Sequence, residues 1–363
     1  MRSIVSAICL TLAAFSIAQA DDPYTVTNVA IDASADNALT AQTEAMRQGQ
    51  ELAVHRLIER LTLEEDRFET AFDFTPRMNE FGEMVQDNAL DLSVVAEMIS
   101  GIEIQNEQRS ATRYLADLTI SFDPRVVERI FSNYGVPYVE AQSRPTMVLP
   151  IFNEGGQFLL WEDNVWREAW EAQNFSNALT PMFVPEEGEA LLSARDALTL
   201  NEAALASLAG AYNVNRIAVL RAEERDGLRR FGGYLVSIAS DGTFEVSTWG
   251  PENVFGGWRD AAARFVTERE TDWKQQSIVR DLETEEFRVT VLYGGIGEWR
   301  SLQDALTGAS LVEAARLDAM SRDGALMTVN FRGAREQLIS ELAERGAVLE
   351  EQPELGWIIR TAF

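Results

Sequence analysis

Between Thr112 and Gly135 the chain reads TRYLADLTISFDPRVVERIFSNYG, and the apolar period changes from two to nearly four within it. Tyr114, Ala116, Leu118, Ile120 and Phe122 alternate with mostly polar partners, as a strand buried on one face requires. Asp123 then stands where a helix takes its N-cap, and Pro124 at the first helical position. Val126, Val127, Ile130, Phe131 and Tyr134 follow at helical spacing, and Gly135 sits where the helix stops. Upstream, YTVTNVAIDASA reads as a strand and Ala38 to Leu61 as a long helix. A loosely patterned stretch, EEDRFETAFDF, and a helix near Met78 to Gln86 come between. The order gives helices on one face of a small sheet.

A second pattern opens with RPTMVLPIF, a run apolar enough for a strand buried on both faces. Asn153 to Gly156 reads as a turn into QFLLW. Helices are expected over Asn164–Gln173 and Asn201–Tyr212. VNRIAVLRAEE, GGYLVSIAS and TFEVSTW read as three strands, the last two joined at Asp241-Gly242, a strong hairpin signal. A long helix from Trp258 to about Val279 closes this part.

From Glu286 the pattern is β-α-β-β-α-β, the order of a ferredoxin-like split unit. Phe287, Val289, Val291 and Tyr293 alternate on its first strand, and Trp299, Leu302 and Leu306 share a helix face. Strands follow at Leu311–Ala319 and Ala325–Phe331, then a helix over Ala334–Arg345 and a last strand in GWIIRTA. The expectation is an α+β protein of three small domains with helices packed on mixed or antiparallel sheets. Their bounds are 21–141, 142–284 and 285–363, behind a signal peptide at 1–20.

That signal peptide rests on MRSIVSAICLTLAAFSIAQA: one Arg, an apolar run, and Ala18-Gln19-Ala20 before Asp21. This is the pattern of a secretory leader cleaved after Ala20, and its run is short for a membrane span. The sole cysteine, Cys9, lies inside it. The exported chain is then cysteine-free and has no disulfide framework, so buried cores must stabilise it. Without Arg2 the remaining 343 residues carry 30 Lys and Arg against 58 Asp and Glu, a net charge of −28, with Lys274 the only lysine. Such an excess of carboxylates excludes nucleic acid as a partner and adsorption to anionic lipid. It suits a cationic partner, and equally simple solubility.

Chemistry-bearing residues are scarce. His55, the only histidine, falls off the apolar face made by Met46, Ala53, Val54, Leu57, Ile58 and Leu61. Glu51 and Glu59 are its neighbours four residues away on the helix. Two carboxylates and one imidazole make a thin ligand set, and a solvated helix position is the simpler reading. WEDNVWREAW places Trp near carboxylates, as a sugar-binding or hydrolase site would. But Val165, Trp166, Ala169, Trp170 and Ala172 share one arc, with Arg167, Glu168 and Glu171 on the other, so core packing is favoured. YGGIGEW, with Gly294 to Gly297, matches no phosphate-loop spacing and reads as a turn. No EF-hand spacing occurs among the acids, and looser calcium binding stays open. LGWIIRTAF alternates Leu355, Trp357, Ile359 and Phe363 and reads as a last strand rather than a barrel terminus. No catalytic, cofactor-binding or metal residue is assigned, and no cofactor.

GQELAVHRLIERLT, RYLADLTISFDPRVVERIF…GVPYV and RPTMVLPIF stand in that order, and together they resemble the exported bacterial family of unknown function DUF2066. The likeness covers the first pattern and the start of the second, and the rest more loosely. ALASLAGAYNVNRIAVL and the strands after it resemble, at fold level, the N-terminal domain of TolB and the curli-secretion protein CsgG. The first resemblance implies a periplasmic, envelope-associated protein of Gram-negative bacteria and brings no catalytic motif. The expected function is therefore non-enzymatic: an envelope interaction or assembly factor that binds a protein partner. The alternative is a carboxylate-based hydrolase or carbohydrate-binding protein. Convergent carboxylates in a pocket would favour the alternative, and exposed sheet edges the binding factor. The partner, the pathway and the oligomeric state stay open.

Overall fold

The computed structural model describes residues 22–68, 70–73, 77–78, 84–85, 92–139, 142–239, 242–278, 284–322, 324–353 and 355–362. The fold is α+β: helices pack on one mixed sheet of six strands, one mixed sheet of five and one antiparallel sheet of three, with a further two-stranded pair.

The first part comprises β1 (Thr25–Ser34), α1 (Ala38–Leu61), α2 (Glu64–Arg67), β2 (Arg77–Met78), β3 (Met84–Val85), α3 (Leu92–Met98), β4 (Ile99–Arg109), β5 (Arg113–Phe122) and α4 (Pro124–Tyr134). Its sheet runs β1-β5-β4, antiparallel throughout. The alternation of β5 is realised, with Tyr114, Ala116, Leu118, Ile120 and Phe122 all buried. Asp123 caps α4 by accepting from the Arg125 N–H, and Gly135 ends it at φ +67, in the left-handed region. α1 presses close because its sheet-facing turns carry Ala41, Ala45, Gly49 and Ala53. A Cβ on Gly49 would stand 2.5 Å from Ile31 Cγ2 and 2.8 Å from Leu118 Cδ1, so only glycine permits that approach. The helix expected near Met78–Gln86 is not formed at its described residues. Arg77 and Met78 pair with Val85 and Met84 as two short strands, tertiary pairing overriding local pattern; Gln86 lies outside the described residues, as do residues 1–20, where a leader is expected. Among the described residues no helix is long and apolar enough to cross a membrane.

The second part contains β6 (Thr146–Glu154), β7 (Gln157–Leu159), α5 (Val165–Glu171), β8 (Met182–Phe183), α6 (Ala194–Leu198), α7 (Glu202–Tyr212), β9 (Arg216–Arg225), β10 (Leu228–Ile238), β11 (Phe244–Asn253) and α8 (Trp258–Ser277). The sheet order is β11-β10-β9-β6-β7, with β8 also on β6. β6 and β9 are parallel neighbours and the β9-β10-β11 meander is antiparallel. Both faces are covered near the centre, which is why β6 is buried on successive residues from Met147 to Ile151. α5 and α8 bury Trp166, Trp170, Trp258 and Phe265 on one face. α6 and α7 bury Ala197, Leu205 and Leu208 on the other. Asn164 and Asn201 cap α5 and α7 from the positions expected. α7 ends in the left-handed region on Asn213 rather than at a glycine. Gly242 turns at φ +83 between β10 and β11; Asp241 lies outside the described residues.

The third part holds β12 (Thr284–Leu292), α9 (Ile296–Thr307), β13 (Val312–Met320), β14 (Gly324–Arg332), α10 (Arg335–Glu344), β15 (Ala347–Gln352) and β16 (Gly356–Thr361). The order β13-β14-β12-β16-β15 adds one strand to the six-element pattern. β15, whose AVLEEQ alternates Ala347 and Leu349 into the core, forms a hairpin with β16. That reversal sets β16 parallel to β12.

The three patterns share buried contacts. Leu179, Trp273 and Ile278 belong to the core built by α1, β1 and β5. Lys274 Nζ of α8 donates to the Glu59 carbonyl of α1 at 2.6 Å. Glu344 at the end of α10 accepts from the Arg144 N–H at 2.8 Å and pairs with Arg216.

Candidate binding surface on the second sheet

The residues singled out by type take structural places. His55 is half-buried on α1, and that desolvation holds its imidazole below the ordinary 6.5 against the opposing influence of Glu59 and Glu51. Among the described residues no three His, Cys, Asp or Glu side chains gather as a metal site. Trp166 is buried edge-on to Trp170, Phe231 and Trp258, with ring centroids 5.4–5.6 Å apart. The polar arc of α5 differs from expectation. Arg167 is buried, donating to the Leu160 carbonyl at 3.2 Å and the Pro185 carbonyl at 2.8 Å and pairing with Glu171 at 2.6 Å, while Val165 is exposed. Carbonyls of an irregular loop need donors, and a long guanidinium supplies several. In YGGIGEW the Gly294 N–H donates to the Glu298 carboxylate, so the chain's own carboxylate fills the start of α9. LGWIIRTAF supplies β16, between β12 and β15.

What the residue types do not announce is the rim of the second sheet. β11 ends it: no strand follows on its outer side among the described residues. Phe244 to Trp249 pair with Ile238 to Gly233 in unbroken register. Val246, in the middle, is 47 % exposed. Glu245 to Thr248 are exposed, α8 covers the rim at Trp249 through Phe265 and Glu268, and a cleft opens on each face. On the α6 side a cleft of about 880 Å³ lies over β9, β10 and the bent end of β11. On the α8 side a smaller one of about 350 Å³ separates Leu235, Ser237, Glu245 and Ser247 from Arg269 and Asp272. Thr180 Oγ1 and Arg269 Nε are buried there without a hydrogen-bond partner among the described residues.

The larger cleft is formed by strand register. Arg221 stands opposite Gly232 and Glu223 opposite Arg230, so the four positions share one face. Arg221 pairs with Glu223 at 2.6 Å and its guanidinium lies 5.2 Å from the Phe158 ring centre. Asn153 Nδ2 donates to Glu223 at 3.0 Å, and this bond, with that from Arg221, holds the Glu223 carboxyl below its ordinary range. Arg230 Nε donates to Asn253 Oδ1 at 3.2 Å. Gly232 is required at the floor, because a Cβ there would lie 2.7 Å from Pro251 Cα. Arg195 joins from α6. Sequence reasoning passed over these residues. The one available signal was Arg221, a charge that interrupts the apolar run of β9.

No family model, curated protein or solved structure matches the chain.

Proposed function

We propose that this chain is an exported, non-enzymatic binding factor of the bacterial cell envelope, and that it takes an extended segment of a partner protein along the free side of β11. The observation that carries the reading is the rim of β11, in unbroken register from Phe244 to Trp249 and exposed from Glu245 to Thr248, with a cleft on each face. An added strand gains main-chain hydrogen bonds from such a rim, and its side chains alternate between the two faces. Side chains of one parity would lie beside Leu235 and Ser247, and those of the other beside Tyr234 and Thr248. The larger cleft has Glu223 as the single carboxylate among its lining residues, and that group is held ionised. A two-carboxylate hydrolysis needs a second group and a protonated acid. Export and the envelope setting come from the leader at 1–20 and the likeness to DUF2066.

A photo-crosslinking side chain placed at Val246 in the full chain, in intact cells, tests the reading. It should give one reproducible protein adduct, absent when the same group stands at Ile104 of β4. Equal adducts from both positions, or none from Val246, would remove β11 as the docking strand. Intact mass of the exported protein should begin at Asp21; a product retaining residues 1–20 would remove the cleaved leader.

A further inference from the structure

We infer that the larger cleft is a binding site for a small amphipathic acid, a single carboxylate or phosphate group on an apolar body, held at its head by Arg221 and Arg230. The cleft shares Tyr234 and Thr248 with the β11 docking reading, but the inference rests on Arg221 and Arg230 and would survive failure of that reading.

The charge distribution is the first argument. The chain carries −27 overall, yet the ionisable groups lining this cleft are Arg195, Arg221 and Arg230 against Glu223 alone. Carboxylates dominate nearly everywhere else, so a positive concavity is a local construction, and low-dielectric walls concentrate its field. The second argument is that two of the guanidiniums are anchored from behind. Glu223 holds Arg221, and Asn253 holds Arg230. Each such bond uses part of a five-donor fork and leaves further N–H groups for a ligand. Register makes the two arginines diagonal neighbours on adjacent strands, within reach of one acidic head. Arginine forks match the two oxygens of a carboxylate or phosphate.

The third argument is what surrounds them. Phe158, Leu198, Val219 and Pro251 present apolar walls. Inorganic phosphate would leave those walls wet, and its binding would use only the head. A volume of about 880 Å³ suits a molecule of drug or metabolite size, for which such sites span roughly 300–1,000 Å³. A nucleic acid would meet the acidic surface beyond the cleft, as would an anionic membrane. The occupant is therefore a dissolved molecule small enough to enter.

Calorimetric titration of the full chain tests this with ligands of one tail and different heads: decanoate, decyl phosphate, decanol and decyltrimethylammonium, each below its micellar concentration. At least one of the two acids should bind about tenfold or more tighter than decanol, and the cation should not bind in the same range. Arg221→Gln and Arg230→Gln should each weaken the acid about tenfold and leave decanol unchanged. Thr248→Asp, which adds a negative charge at the rim without touching either arginine, should weaken the acid as well and covers the case in which a glutamine variant misfolds. Arg225→Gln, on a side chain 90 % exposed outside the cleft, should change nothing. Equal binding of acid and alcohol, or full acid affinity in the Arg221→Gln/Arg230→Gln double variant, would overturn the inference. So would arginine-dependent sedimentation with phosphatidylglycerol vesicles, which would place the ligand in a membrane.

Discussion

β4 and β11 are both long strands at the end of a sheet, and they are finished differently. β4 loses register with β5 twice, at Ile99/Gly101 and at Gln105/Gln108, and Asn106 sits there at φ +52. β13, at one end of the third sheet, is likewise broken twice, while β15 at its other end is regular but only six residues long. Bulges twist a rim and spoil its match to an incoming strand, a common protection of exposed edges. β11 is broken once, between Phe231 and Gly233 on its partner, and is regular from there to the turn. Against β4 and β13, the long regular stretch of β11 is the rim better matched to an incoming strand.

The comparison breaks most severely at Gly233. A Cβ there would run into the Val219 carbonyl, the backbone of the neighbouring strand. Gly233→Val should cost about 3 kcal/mol or more of stability and lower the thermal midpoint, with loss of the β11 rim. Gly101 on β4 faces open space, so Gly101→Ala should stay within about 0.5 kcal/mol. Equal costs would show that the two rims are packed alike.

A charge at the rim is the next test. Val246→Lys should reduce partner capture about tenfold, roughly 1.4 kcal/mol, while Ile104→Lys on β4 leaves it within twofold. Equal loss from both would mean that the sheets do not differ in the way proposed.

Acid sharpens the contrast further. Because hydrogen bonds hold the Glu223 carboxyl below its ordinary 4.5 in the folded state, its contribution is present above 4.5 and is lost as pH falls through the lowered value. Glu223→Gln should flatten that part of the stability curve in chemical denaturation between neutral and acid pH. An unchanged slope would show that Arg221 and Asn153 do not hold the group in solution.

His55, under the first sheet, should have the smallest effect. Its folded imidazole titrates below 6.5, so the unfolded chain takes the proton first, and stability falls as pH drops from 6.5 toward the folded value. Proton NMR of this sole histidine should give a midpoint below 6.5. His55→Gln should change stability at neutral pH by less than about 0.5 kcal/mol and leave capture at β11 untouched. A midpoint above 6.5 would mean that Glu51 and Glu59 outweigh burial.

Local signals carried far into this fold. Asn37 caps α1, the stripe ends at Leu61, and the structure places the helix over those residues. Asp123, Pro124 and Gly135 bound α4 as their chemistry requires. Each of these features is decided within a few residues of itself. The failures are decided at a distance. Arg167 looked like a solvent residue because its carbonyl partners lie in segments that only folding brings to it. β15 was passed over because AVLEEQ alternates only weakly, and its place is set by β16. The larger cleft draws Arg195 from a helix and Arg221, Arg230 and Pro251 from three strands, and sheet order alone makes them neighbours. That β11 is a strand is legible in TFEVSTW; that nothing lies beyond it is not.

α8 has a consequence for the order in which the chain assembles. Its first half lies on the second sheet through Ala262 and Phe265, and near its end Trp273 enters the core that α1 began. Residues 22–139 therefore leave the ribosome with a seat still empty, and the seat is filled only when Ile278 arrives. Until then apolar side chains of the first sheet await a late-made helix. A truncation before α8 would strand them in water, and the earliest-made part of the molecule is among the last to be sealed.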